Sequence, residues 1–98
     1  MRNQVTLRLS SISTEIAGTQ AELSRLRDRL AAQGGELDER RLRMLMAETP
    51  LADLDLRIAV DDYRRIEKQV HRVEANLAAL LEEEHRFRTF LQRASTGA

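Results

Sequence analysis

From Ala52 onward, alternating steps of four and three residues reach Leu56, Ala59, Tyr63, Ile66, Val70, Val73, Leu77, Leu80, Glu84, Phe87 and Leu91. Glu84 alone breaks the apolar run. A spacing that averages 3.5 residues keeps these side chains on one stripe of a helix, and another helix must cover that stripe. The same steps from Val5 reach Leu9, Ile12, Ile16, Thr19, Leu23, Leu26, Leu30 and Gln33. Two such seams in one chain predict an all-α fold, a long antiparallel helical hairpin of coiled-coil type. Composition agrees. With 33% of its 98 residues charged and 3% aromatic, the chain suits a thin apolar seam better than a thick core.

The seams suggest element boundaries. Gly34-Gly35 directly follows the last periodic residue of the first seam. Glycine takes the left-handed conformation without steric cost, so the pair reads as a helix stop. A first helix over about 5–33 follows. Its start is open as far as Ser13, because Ser10, Ser11, Ser13 and Thr14 are weak helix formers. Residues 36–48 have high helix propensity and are expected as a short middle helix, although they could also join the last helix with a kink at Pro50. Thr49-Pro50 opens the last helix as N-cap and first-turn proline, with Asp53 and Asp55 complementing the helix dipole. That helix should run from about 50 to 93, which makes 1–93 a single domain and 94–98 a disordered tail.

If the first helix ends at Gly34, Leu30 faces Ala52, Ile16 faces Ile66 and Ile12 faces Val70. Residues 78–91 of the last helix then overhang by about 20 Å. The overhang carries Leu80, Leu81, Glu84, Phe87, Phe90 and Leu91, an expected interface with a second copy or another helical protein. Homodimers or higher oligomers are the expected partners. The tip holds a further apolar group, Met44, Leu45, Met46, Leu51, Leu54 and Ile58. Either the middle helix folds against this stripe, or the stripe binds a partner, a use to which methionines are suited.

Little else points to chemistry. There is no cysteine, hence no thiolate metal site and no disulfide. His71 and His85 lie two heptads apart, about 21 Å along a helix, too far to share a metal. Glu82-x-x-His85 is half of a di-iron carboxylate motif and has no second copy. Glu82-Glu83-Glu84 reads as a solvated face, with Glu84 on the seam as a candidate register determinant. No catalytic residue, cofactor or metal ligand is expected, and the chain reads as a non-enzyme.

Sixteen basic and sixteen acidic residues leave no net charge. A general attraction to nucleic acid is therefore not expected. The bases are fifteen arginines and Lys68, interleaved with acids in the manner of intrahelical pairs such as Asp61–Arg65 and Glu36–Arg40. Arg40, Arg41 and Arg43, at the presumed bend, are the best candidates for phosphate contacts in an alternative reading as a nucleic-acid-associated regulator. No run of 18 apolar residues spans a membrane, and the start lacks a secretory core, so a cytoplasmic location is expected.

The Gly34-Gly35 turn and Tyr63-Arg64-Arg65-Ile66-Glu67 resemble small secreted helical hairpins built around a Trp-x-Gly turn. This chain has no tryptophan, and Tyr63 sits on its seam rather than after the second helix. A third reading is a helical hairpin that is an export substrate or chaperone. The main expectation is a non-catalytic coiled-coil adaptor, scaffold or regulatory subunit.

Overall fold

A computed structural model describes residues 2–96. All but two of them are helical, in α1 (Arg2–Ala47) and α2 (Pro50–Thr96), which form a helical hairpin. Contacts divide the chain into two compact units. One is Met1–Glu22 with Val73–Ala98, and the other is Leu23–Arg72. No helix among the described residues is long and apolar enough to cross a membrane.

The first unit pairs the start of α1 with the end of α2. Ile12 is fully buried and clusters with Ile16 and Leu80, and Leu77 and Phe87 pack against them. Burial of Ile12 and Ile16 holds the helix through the serine-rich segment, so α1 begins at Arg2 rather than near Ser13. Tertiary packing outweighs weak propensity there. The second unit contains the turn. Its buried apolar side chains are Leu23, Leu26 and Leu37 from α1, with Ala59, Ile66 and Val70 from α2. Except for Leu37, all of these fall on the two seams that the spacing marks out.

The glycine pair does not stop α1. Gly34 and Gly35 are helical with ordinary negative φ, and the expected helices 5–33 and 36–48 are one element. Continuing the helix keeps the seam going through Gln33, Leu37, Arg40 and Met44, all buried or half-buried. Burial of Leu37 adds a gain of about 1.5–3 kcal/mol, against about 1 kcal/mol lost for each helical glycine.

The turn lies at Glu48 and Thr49 instead. Glu48 takes φ 48°, a left-handed helix end, and its N–H donates to the Met44 carbonyl at 2.9 Å. Thr49 caps α2 as expected, its Oγ1 accepting from the Ala52 N–H at 3.2 Å. At the other end α2 continues through Thr96, so residues 94–96 of the expected tail are helical; 97–98 lie outside the described residues.

Moving the turn moves the register. In the second unit Arg40 reaches Asp55 and the Tyr63 ring lies against Gly34. In the first unit Ile12 packs with Leu80, not Val70. The shift is close to two heptads. A shift by whole heptads brings the same stripes together, which is why the seam residues hold while their pairings change.

Candidate functional site

The shifted register removes the expected overhang. Leu80 is buried against Ile12 and Ile16, Phe87 packs on the same cluster, and Leu91 is half-buried. Leu81 and Phe90 stay exposed, Phe90 at 41%. The premise that residues 78–91 lack a covering helix therefore fails, because the start of α1 supplies one. Glu84 is half-buried on the seam and turns toward its own helix, its Oε2 3.6 Å from Arg88 Nη2.

Near the turn the outcome is the reverse. No separate middle helix folds over the tip, and most of its apolar side chains face water. Leu45, Met46, Leu51 and Leu54 are exposed, Ile58 is 49% exposed and Met44 is half-buried. Leu42 is exposed as well, a residue that the spacing did not single out as part of a site. Leu42, Leu45 and Met46 form one strip by their i, i+3, i+4 spacing, and Leu51, Leu54 and Ile58 form another. The α2 strip adjoins Asp55 on the face carrying the Arg40–Asp55 pair, whereas the α1 strip is turned away from Arg40. The two are separate strips. Met44, Leu45, Pro50 and Asp53 also line an open hollow of about 500 Å³ beside the turn.

The arginines expected to project at a bend lie on a continuous helix. Arg40 Nη1 is 3.8 Å from Asp55 Oδ1, and Arg41 Nη1 is 3.9 Å from Asp38 Oδ1. Arg43 is exposed. The expected helical pairs are also re-sorted, since Arg65 pairs with Asp62 and Arg40 reaches across to α2. Among the described residues no group of three or more His, Cys, Asp or Glu is placed to hold a metal ion.

The best-defined polar contact joins the helices of the first unit. Arg8 Nε donates to Glu83 Oε1 at 2.9 Å and Nη2 donates to Oε2 at 3.1 Å, a two-pronged pair, while Nη1 reaches Glu15 at 3.3 Å. Hydrogen bonding to Arg8 holds the Glu83 carboxyl below its ordinary 4.5, and the same bond raises Arg8. A depressed carboxyl stabilises the fold above its unfolded-state value and loses that contribution as pH falls through its folded value. Glu83→Gln should therefore reduce stability at pH 7 and make little difference once the pH is well below 4.5. Urea melts of both proteins at the two pH values check this. An equal difference at both would assign the effect to packing.

No protein-family model matches the chain, and neither a curated protein nor a solved structure is significantly similar to it.

Proposed function

We propose that the chain is a small non-catalytic interaction protein that works by helix–helix packing, as an adaptor, scaffold or regulatory subunit. The observation that carries this reading is unburied surface. The chain exposes 7401 Å². A compact monomer of 11.2 kDa exposes about 5,700 Å². A standard protein–protein interface withdraws about 800 Å² of each partner from water, so the excess of about 1,700 Å² is ample for one. The apolar strips beside the turn supply side chains suited to that use, and Met46 adds an adaptable one.

The test is comparative co-purification from the native host with tagged wild type and a Leu45→Glu, Met46→Glu variant. Both substituted residues are exposed, so circular dichroism should show unchanged helicity. The wild type should retain a stoichiometric partner that the variant loses. Identical profiles for the two would remove the α1 strip from the reading. The absence of any partner, together with a monomeric wild type, would remove the reading itself.

A further inference from the structure

Net neutrality hides a local order of charge. Residues 1–14 and 85–98 hold five arginines and no acid. Both segments belong to the first unit, where Arg2 donates to Ser95 Oγ at 3.3 Å across the helix ends. Arg8 and Arg88 are engaged by Glu83 and Glu84. Arg86 and Arg93 are exposed, and with exposed Phe90 between them they line an open hollow of about 360 Å³. Arg93 lies nine residues beyond Glu84, the nearest acid on its helix. That is about 14 Å along the axis, beyond the Debye length of about 8 Å at physiological salt.

The second unit has the opposite character beside the turn. Residues 48–62 hold five acids and one base. The exposed strip of Leu51, Leu54 and Ile58 runs through this segment, with Asp55, Asp61 and Asp62 three or four residues from its members. An apolar strip with an acidic border suits a partner surface that is apolar and basic.

We propose that the α2 strip beside the turn of one copy binds the arginine-bearing helix ends of a second copy, around Phe90. Like-with-like pairing of either surface fails on charge. Two turn strips would bring acids together, two sets of helix ends would bring arginines together, and like charges set face to face disfavour a contact. The unlike surfaces attract, and each covers apolar side chains that the other leaves in water, Leu51, Leu54 and Ile58 on one side and Phe90 on the other. Each surface lies wholly within one unit. The contact is heterologous, so a copy gives its turn strip to one neighbour and its helix ends to the next unless the set closes. The inference rests on the interaction reading above and names one partner for the α2 strip. The α1 strip of Leu42, Leu45 and Met46 takes no part.

Sedimentation velocity on the whole chain tests it. The wild type should associate at tens of micromolar in about 0.05 M salt, and less in about 0.5 M salt, where screening is stronger. A Phe90→Glu, Arg93→Glu variant spoils only the helix ends, and a Leu51→Arg, Leu54→Arg variant spoils only the turn strip. All four residues are exposed, so circular dichroism should show both variants helical. Each variant alone should associate about tenfold more weakly than the wild type, or weaker still. Their equimolar mixture should recover the association, because the intact turn strip of one meets the intact helix ends of the other. A two-fold contact of like surfaces would instead leave one variant unaffected. A monomeric wild type at tens of micromolar in low salt overturns the proposal. If that monomer binds labelled duplex DNA and the Phe90→Glu, Arg93→Glu variant does not, the helix ends belong to a phosphate backbone instead. One variant that associates like the wild type, or a mixture no tighter than its parts, overturns it as well. Loss of a different protein in the Leu45→Glu, Met46→Glu comparison would stand in every case.

Discussion

Replacing Ile12 with alanine will destabilise the protein by about 2–5 kcal/mol, the range for truncating a buried aliphatic side chain in a site that cannot collapse fully. Ile12 is 0% exposed and touches the Leu80 cluster from one turn of α1. Urea unfolding of Ile12→Ala measures the cost. A double-mutant cycle then reads the register directly. Ile12→Ala with Leu80→Ala should show a coupling of about 0.5–3 kcal/mol, as residues in contact do. Ile12→Ala with Val70→Ala should be additive to within about 0.5 kcal/mol. Coupling to Val70 rather than Leu80 would restore the shorter first helix and the overhang that goes with it.

The contrast between Leu80 and Val70 shows which part of the fold is legible in a heptad pattern. The 4-3 spacing names the face of each helix, and Ile12, Ile16, Leu23, Leu26, Ala59, Ile66, Val70 and Leu80 are buried as it requires. It says nothing about axial offset, because sliding one seam past the other by a heptad returns equivalent positions to equivalent places. The offset is set where the chain turns. The sequence offers two turn signals, and local chemistry favours the wrong one. Gly34-Gly35 is the stronger left-handed motif, yet Glu48 makes the turn, a residue type that pays about 1–2 kcal/mol for that conformation. Local strain at Glu48 is outweighed by fourteen further residues of helix, including the burial of Leu37. From that single misplacement follow the false overhang at 78–91 and the false bend at Arg40–Arg43. The tip residues Leu45, Met46, Leu51, Leu54 and Ile58 could be read because they exceed what one seam can bury.

The glycine pair is therefore the place where the two readings give opposite signs. A glycine that ends a helix sits at positive φ, and alanine there is strained. In α1 both glycines have helical backbone. A Cβ on Gly34 would stand 3.6 Å from Tyr63 Cε2, ordinary van der Waals contact, and one on Gly35 would meet nothing within 4 Å. Each Gly→Ala change should then stabilise the protein by up to about 1 kcal/mol through helix propensity and a less mobile unfolded chain. The double variant should melt higher by up to about 8–16 °C, given about 4–8 °C per kcal/mol for a chain of this size. Gly35→Pro, harmless in many turns, should instead cost about 3 kcal/mol or more, because a helix-interior proline loses one backbone hydrogen bond and clashes with the preceding turn. Thermal melts followed by circular dichroism give all three values. Alanines that destabilise and a proline that is tolerated would move the turn back to Gly34-Gly35 and end α1 there.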